Sequence, residues 1–554
     1  MKKRITLVTT ALLAAGAVVA GCAANPGPPP VVTPSPEPTT ANESSTSKKA
    51  EPISKRSEVT VGVEALRNGL NPHLLADESS VVRSVARLVL PSVFEQGELN
   101  TDVMKSAEVV EYTDAAMTVR YVIQDAAQWS DGTPLTGSDF KYLWLAMTQT
   151  PGVLNPGGYE AISAVRVSGA NGKTVDVDFA KPVAQWQELF QFLVPSHLIG
   201  PDPVNFRTGM RDDIPASAGR YMVVKVDRGR GTVTLNRNDR FWGADPAKID
   251  IVNLGAVRST TQSADQLRAG QLNFVDMIPE ETTRSVYELV PEAQIRMIQS
   301  PRTLGLSLST TSPLLEEHAA RVELRSLIDV PLIARISVGR STDIAIAESA
   351  PVSDQEPEVL PETIAANRPL RIAADPADPE ASAAVRSLVD SLVARGVDAE
   401  VVSTDMNDIT RNQLPAGDVD AVVTWDFNAA NSLDAASQLR CPSEEVDMRS
   451  GNLSGYCTPE TEVLSDEILA GTVSTDEAHA QVDAVVEREV LWVPFLHEQR
   501  LLALGSGIVG PDPKLENWTE GLASAAIWTL ADPVAAGETN TTEPVETTKE
   551  SSEE

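Results

Sequence analysis

Alternating apolar and polar positions predict strands in the first half of the chain. Glu58–Glu64 places three valines on one face, as a half-buried strand does. Val165–Val167 and Thr174–Phe179 alternate on either side of the dipeptide Asn171-Gly172, which is a strong signal for a hairpin turn. This half of the chain is therefore predicted to contain antiparallel hairpins.

A helical pattern precedes this hairpin. Thr136 is a suitable N-cap, and Asp139 stands three residues later, which is the spacing of a capping box. The apolar residues that follow recur at intervals of three and four and so share one helix face: Phe140, Leu143, Trp144 and Met147. We expect this face to belong to the core.

The later part of the chain combines strands with a helix. Leu370–Ala373, Val397–Val402 and Asp420–Trp425 are predicted strands. Between the first two, Asp378 is a suitable helix N-cap and Gly396 a suitable helix end. Because a strand, a helix and a second parallel strand form a right-handed unit, this part is predicted to be an α/β lobe.

The end of the third predicted strand is the first candidate binding site. Ligands of open α/β sheets bind beyond the carboxyl ends of the strands. The candidate ligand-binding residues at this strand end are Trp425, Asp426, Phe427 and Asn428.

Composition and charge exclude several classes of protein. The 554 residues include 45 Lys and Arg against 78 Asp and Glu, which gives a formal net charge of −33. A general basic field that would attract nucleic acid is therefore excluded. The 5 histidines are scattered without metal-ligand spacing, and no phosphate loop or nucleophile motif is present. The sequence predicts neither an enzyme nor a bound metal or cofactor.

The N-terminus is predicted to be an export signal. Lys2–Arg4 precede an uncharged, mostly apolar run, and Val19-Ala20-Gly21-Cys22 then looks like a bacterial lipobox. We expect residues 1–21 to be removed and Cys22 to carry a diacylglycerol. The alternative is an ordinary signal peptide with an incidental cysteine. With the acyl anchor, the mature protein would be held on the outer face of the cell membrane.

Two low-complexity segments flank the body of the chain. Residues 22–57 are rich in Pro, Ser and Thr and contain few large aliphatic residues, which predicts a disordered tether. Residues 533–554 are predicted to be a disordered acidic tail.

The two remaining cysteines, Cys441 and Cys457, are predicted to form a disulfide, since an exported chain matures where disulfides persist. Two buried free thiols are the alternative.

Several segments together resemble a known family. Trp129–Thr136 followed by Asp139-Phe140 is similar to a family segment of the pattern W-DG-PlTa-Dv. Asn238–Gly243 and Gly69–His73 are also similar to segments of this family. These segments resemble the bacterial extracellular solute-binding proteins of family 5, which are the peptide, dipeptide and nickel binders of ABC importers.

The resemblance implies a fold and further site residues. The implied α/β fold is the two-lobed type II periplasmic-binding-protein fold, with an extra hairpin-rich subdomain in the first lobe. Asn71 and His73 join the candidate ligand-binding residues, and Cys441 and Cys457 stand where dipeptide-binding relatives carry a disulfide. The implied boundaries are residues 58–297 and 488–532 for lobe I, roughly 100–215 for its subdomain, and 298–487 for lobe II.

Two features of the sequence affect the expected ligand. Gln149–Tyr159 is most similar to actinobacterial envelope lipoproteins of the LpqW type, which are linked to mannosylated phosphatidylinositol and lipoglycan synthesis. Peptide binders carry Asp three residues after the tryptophan at position 425, and this chain has Asn428. Because a neutral amide forms no charge-assisted bond with a peptide amine, Asp426 is the candidate substitute.

Two functions are therefore expected from the sequence. The favoured one is a monomeric, lipid-anchored solute-binding protein that delivers a peptide or related solute to an ABC permease. The alternative is a non-transporting regulator of envelope glycolipid synthesis that binds a lipid head group or a protein partner. Neither function involves nucleic acid.

Overall fold

The computed structural model describes residues 56–111, 114–427, 431–442 and 450–531. The described residues fall within a single structural unit. The predicted signal peptide, Cys22, Asn428, the acidic tail and nearly all of the predicted tether lie outside the described residues.

The strands of the described chain are β1 (Glu58–Val63), β2 (Phe94–Glu95), β3 (Glu98–Leu99), β4 (Met104–Val110), β5 (Met117–Ile123), β6 (Ile162–Ser168), β7 (Thr174–Phe179), β8 (Tyr221–Asp227), β9 (Thr232–Arg237), β10 (Ile251–Ala256), β11 (Phe274–Met277), β12 (Gln294–Leu308), β13 (Ala345–Ile346), β14 (Leu370–Ala374), β15 (Ala399–Ser403), β16 (Ala421–Phe427), β17 (Trp492–Leu504), β18 (Ile508–Val509) and β19 (Thr529–Leu530).

The α-helices of the described chain are α1 (Ser80–Val89), α2 (Gly137–Gln149), α3 (Gly157–Glu160), α4 (Ser196–Ile199), α5 (Pro203–Thr208), α6 (Thr260–Arg268), α7 (Thr283–Glu288), α8 (His318–Ser326), α9 (Val330–Val338), α10 (Val359–Ala366), α11 (Pro379–Ala394), α12 (Met406–Asp408), α13 (Ser432–Leu439), α14 (Pro459–Leu469) and α15 (Thr475–Glu489).

The larger sheet has 11 strands in the order β15-β14-β16-β12-β17-β11-β1-β10-β9-β8, with β13 paired to β17. β1 is parallel to both β10 and β11. β12 is antiparallel to both β16 and β17. The long strands β12 and β17 therefore lie in the middle of the sheet and connect its two ends.

A separate 4-stranded sheet, in the order β4-β5-β7-β6, forms the hairpin-rich subdomain. β6 and β7 are antiparallel, and Asn171 and Gly172 at their turn have φ angles of 58° and 67°. Asn and Gly are the residues that adopt such angles most readily, so this predicted hairpin is confirmed. The expected capping box of α2 is also present, with Thr136 and Asp139 as its two members.

The predicted strand–helix–strand unit is confirmed as well. β14 is parallel to β15 and to β16, and α11 connects β14 to β15. Asp378 caps α11 by accepting a hydrogen bond from the Ala381 amide at 3.0 Å. Gly396 follows the helix with a φ of 84°. β16 ends at Phe427, two residues beyond the predicted strand end, so Trp425 lies within the strand.

The two largest apolar clusters lie at opposite ends of β12 and β17. The larger cluster includes β1, α1 and the 4-stranded sheet, together with Leu502 and Leu504 of β17. The other cluster includes β14, α11 and β16, together with Val493 and Phe495 of β17. Apolar residues of α13, α14 and α15 belong to the larger cluster. The lobe boundaries expected from the sequence stay a prediction.

Candidate functional site

A cavity of ligand size lies where β12 and β16 meet α1. Its volume is about 710 Å³, within the range of small-molecule sites. Arg83 and Arg87 of α1 line it, as do Gln299–Arg302 of β12 and Phe427 at the end of β16. We call it the main cavity. Its lining residues come from elements of both large apolar clusters.

A buried ion cluster forms one wall of the main cavity. Arg302 is 2% exposed and lies 3.1 Å from a carboxylate oxygen of Glu498 and 3.5 Å from one of Glu78. Glu498 also lies 3.1 Å from Arg500. Burial alone would raise the pKa of Glu498, but attraction to Arg302 and Arg500 outweighs burial and lowers this pKa to about 2.

Arg500 extends this cluster to the neighbouring strands. Its guanidinium lies 2.7 Å from Asp276 of β11 and 2.9 Å from Glu64, which follows β1. Burial alone would lower the pKa of Arg500, but Asp276, Glu64 and Glu498 raise it well above its ordinary value. Three acidic partners therefore keep a fully buried guanidinium charged. Removing one member of a buried ion cluster leaves a buried charge without its partner. Each member of this cluster is therefore needed for the stability of the cavity wall.

Phe427 lines the main cavity, and the Arg83 guanidinium lies over its ring. The Arg83 guanidinium carbon lies 3.6 Å from the centroid of the Phe427 ring. Arg83 also pairs with Glu78 at 3.1 Å. A guanidinium has five donors, so one ion pair leaves Arg83 with donors for a ligand on the cavity side.

Trp425 and Asp426 have different surroundings from Phe427. Trp425 is 3% exposed, belongs to the smaller of the two large apolar clusters, and lies under the Arg302 guanidinium at 4.7 Å. Asp426 is half-buried and lines a second cavity of about 380 Å³, which Trp425 also lines. Because side chains alternate along a strand, Asp426 and Phe427 point to opposite faces of β16. Asp426 therefore does not line the main cavity.

The other two candidate residues are both buried. The Asn71 side chain donates to the Phe206 carbonyl at 2.8 Å and accepts from the His73 amide at 3.1 Å. His73 lines the main cavity, and its Nε2 lies 2.9 Å from the Phe192 carbonyl. Burial lowers the pKa of His73 to about 4, so the ring is neutral near pH 7. Asn71 holds the loop that carries His73 in place.

The main cavity also contains an acid that the sequence did not single out. Glu188 is half-buried, and burial raises its pKa. In the described chain, no Lys or Arg forms an ion pair with Glu188. An unpaired carboxylate at a ligand-sized cavity is suited to a cationic group of the ligand. No motif marks Glu188, so sequence reasoning missed it.

The predicted disulfide is present. Cys441 and Cys457 are bonded, and their Cα atoms lie 5.0 Å apart. Within the four described ranges, no group of three or more His, Cys, Asp or Glu side chains is placed to hold a metal ion. In the same ranges, no helix combines the length and the apolar character needed to cross a bilayer.

Comparison with known proteins decides the family. Residues 102–442 match the family model described as bacterial extracellular solute-binding proteins, family 5 middle. This match covers more than half of the chain. The chain belongs to the family 5 solute-binding proteins. Proteins of this family are binding proteins of the peptide and nickel ABC importer type.

Two family 5 relatives come from Mycobacterium tuberculosis. The chain is 30% identical over 371 residues to "Probable monoacyl phosphatidylinositol tetramannoside-binding protein LpqW", an alignment covering 65% of this chain and 56% of LpqW. It is 28% identical over 270 residues to the oligopeptide-binding protein OppA, covering 46% of this chain and 44% of OppA. The matches therefore span about half the length of these relatives.

A solved family 5 structure confirms the fold class. The oligopeptide-binding protein AppA from Bacillus subtilis, in complex with a nonapeptide, has a TM-score of 0.64 to this chain. The match covers 86% of this chain and 100% of AppA at 13% sequence identity. The predicted type II periplasmic-binding-protein fold is thus confirmed, with its long sheet and its separate 4-stranded sheet.

Proposed function

We propose that this family 5 protein binds a peptide or a related zwitterionic solute in the main cavity and delivers it to an ABC permease. The observation that carries the proposal is the cavity itself, about 710 Å³ with an unpaired acid and a partly paired arginine in its lining. Glu188 would accept the cationic end of the solute, and Arg83 would donate to its carboxylate. The ring of Phe427 would pack against the solute between them.

Glu188 supports a peptide ligand although the expected acid is absent. Peptide binders of the family were expected to use an Asp at position 428, and Asn428 lies outside the described residues. Asp426, the candidate substitute, lines the second cavity instead. Glu188 lines the main cavity and forms no ion pair in the described chain. A charge-assisted bond from the solute ammonium to Glu188 would replace the missing anchor.

Solute binding would stabilise the closed arrangement of the two lobes. The main cavity is lined from elements of both large apolar clusters, so a bound solute contacts both. A ligand shifts a conformational equilibrium only by its differential contacts in the two states. The permease would then recognise the closed, loaded form.

The acyl anchor on Cys22 is part of the same proposal. The positive N-terminus, the apolar run and the lipobox-like Val19–Cys22 support it. Anchoring would place the binding protein on the outer face of the cell membrane beside its permease. Intact-mass measurement of the envelope-purified protein tests this, since a diacylglyceryl adduct on a chain that begins at Cys22 is the expected result.

The ligand is tested by native mass spectrometry of the protein purified gently from its own envelope, followed by denaturation and identification of what is released. A mixture of short peptides is the expected result. Calorimetry with the released peptides should then show weaker binding by the Glu188→Gln variant, by about tenfold or more for the loss of one charge-assisted bond. Glu348→Gln is the matched control, because Glu348 is exposed and does not line the cavity.

A second function is favoured by one comparison. The chain is more similar to LpqW than to OppA, both in identity and in the share of the chain aligned. The protein would then bind a mannosylated phosphoinositide and regulate glycolipid synthesis without transport. Release of such a lipid from the purified protein would favour this second function over peptide transport. Failure of peptides to bind would contradict the peptide proposal.

A further inference from the structure

Arg302 lines a small cavity as well as the main cavity. This small cavity has a volume of about 20 Å³. Glu78, which precedes α1, and Trp425 of β16 also line it. Each of these three residues is at most 4% exposed. The small cavity therefore lies among buried side chains of which two are charged.

The Arg302 side chain leaves one of its nitrogen atoms without an acceptor. Its Nη1 donates to Glu498 Oε1 at 3.1 Å, and its Nη2 donates to the Glu78 carbonyl at 3.4 Å. The buried Nε makes no hydrogen bond in the described chain, although Glu78 Oε1 lies 3.5 Å away. Because N–H···O hydrogen bonds usually measure about 2.7–3.2 Å, this separation is that of an ion pair without a hydrogen bond.

Glu78 and Trp425 each add a further unsatisfied atom. Glu78 Oε2 accepts from Arg83 at 3.1 Å, but Glu78 Oε1 is buried and accepts no hydrogen bond in the described chain. The Trp425 ring lies 4.7 Å from the Arg302 guanidinium carbon, and its buried Nε1–H has no acceptor among the described residues. Leaving such groups unsatisfied in the interior costs free energy. Three unsatisfied polar atoms from lining residues of one cavity indicate a shared partner.

The two donors and the one acceptor select the chemistry of that partner. A cation could not accept from the N–H groups of Arg302 and Trp425, and Arg302 would repel it. A halide could accept from both groups, but the Glu78 carboxylate would repel it and would receive no hydrogen bond. A water molecule accepts two hydrogen bonds and donates two, so it satisfies all three atoms. A buried water usually makes about three hydrogen bonds and needs a cavity of roughly 10–15 Å³ or more.

We infer that the small cavity is a binding site for one structural water, which accepts from Arg302 Nε and Trp425 Nε1 and donates to Glu78 Oε1. The water completes the hydrogen bonding of Arg302, whose side chain also lines the main cavity. It connects β12 to β16 and to the residue before α1, which are the elements that meet at the main cavity. The inference does not depend on which solute the main cavity binds.

A crystal structure of the full-length protein, at a resolution that shows ordered waters, tests the site directly. The expected result is a single electron-density peak within about 2.7–3.2 Å of Arg302 Nε, Trp425 Nε1 and Glu78 Oε1. No peak at this position would overturn the inference. It would also be overturned if Arg302 Nε or Trp425 Nε1 donated to a protein acceptor instead. Anomalous scattering from the peak would identify a heavier ion and contradict a water.

Nuclear magnetic resonance tests the same water in solution. The chain has 8 tryptophans, so labelling tryptophan with ¹⁵N gives few indole signals, and the signal that Trp425→Phe removes belongs to Trp425. This N–H should show a nuclear Overhauser effect to a long-lived water. Trp518 is the matched control, because it is 1% exposed and its Nε1 donates to the Asp512 carbonyl at 2.7 Å.

The hydroxyl of Thr424, which also lines the small cavity, needs a control because hydroxyl protons exchange with water. The effect at Trp425 should persist in Thr424→Val and be absent at Trp518. Loss of the effect in Thr424→Val, or equal effects at the two tryptophans, would overturn the inference. Neither measurement involves a solute, so failure of the peptide proposal and failure of the water site give different results.

Discussion

The guanidinium carbon of Arg302 lies 4.7 Å from the centroid of the Trp425 ring. Both residues are at most 3% exposed. Arg302 is held from its other sides by Glu78, which precedes α1, and by Glu498 of β17. One side chain therefore joins three strands of the sheet and the start of α1, and it lies beside the main cavity.

Removing Arg302 should destabilise the protein strongly. Arg302→Met keeps much of the side-chain volume but leaves Glu78 and Glu498 buried without this cation. We expect a loss of about 3–5 kcal/mol in the free energy of unfolding, the usual cost of breaking a buried ion pair. Urea unfolding followed by tryptophan fluorescence measures it.

The control for this prediction is Arg371→Met. Arg371 pairs with Glu400 at 2.6 Å, but both side chains are more than a third exposed. An exposed pair contributes at most about 1 kcal/mol. Similar losses for the two variants would contradict the role assigned to burial.

The low pKa of Glu498 predicts a specific pH dependence. The folded pKa of about 2 lies below the ordinary value of 4.5, so the ionised form is favoured by folding. The stabilisation that the ionised Glu498 carboxylate gives the folded state is complete above pH 4.5 and is lost as pH falls towards about 2. The difference in unfolding free energy between wild type and Glu498→Gln should therefore shrink over this interval. A difference that stays constant from neutral pH to pH 3 would refute the prediction.

The raised pKa of Asp426 predicts the opposite trend. Burial favours the protonated form in the folded state, with a pKa of about 6 against an ordinary value of 3.8. The ionised carboxylate therefore costs stability increasingly as pH rises through this interval. Asp426→Asn should gain stability relative to wild type between pH 4 and pH 7. Asp476→Asn, at an exposed position on α15, is the matched control in the same denaturation series.

Arg83 and Phe427 should show a measurable coupling energy. Their separation of 3.6 Å is short for a cation–π contact, whose coupling is about 0.5–2 kcal/mol according to desolvation. A double-mutant cycle with Arg83→Met and Phe427→Leu measures it. The pair Arg220 and Phe241, at 5.6 Å, should couple less and provides the comparison.

Removing the disulfide should cost stability without changing the family fold. The bond between Cys441 and Cys457 closes a loop across 16 positions. A disulfide that closes a loop of this size restricts the unfolded chain, which adds about 3 kcal/mol to the free energy of unfolding. The double variant Cys441→Ser with Cys457→Ser should therefore unfold at lower urea concentration. Reductant should lower the stability of wild type to a similar extent and leave the double variant unchanged.

The local elements could be predicted from the sequence because their determinants are close together in the chain. The Asn171-Gly172 turn permits positive φ angles, and Thr136 with Asp139 forms the capping box of α2. The N-cap Asp378 and the following Gly396 bound the helix between β14 and β15. Motifs of this kind also carried the resemblance to family 5. Helix ends and tight turns are specified by a few neighbouring residues, so they can be recognised in the sequence.

The site could be predicted only in part. Periodicity placed Trp425, Asp426 and Phe427 at the end of one strand, which is correct. It did not show that Asp426 and Phe427 line different cavities. That division depends on what packs against each face of β16, and those contacts come from distant parts of the chain.

The sequence by itself determined the family, the hairpins, the capped helices and the cysteine pair. Only the tertiary structure decided the burial of Arg302 against Glu498 and the position of Glu188 in the main cavity. These groups are brought together by sheet pairing between β12 and β17 and by packing of apolar clusters. No local signal distinguishes a charged residue that will be buried from one that stays in water, because its partners are remote in sequence.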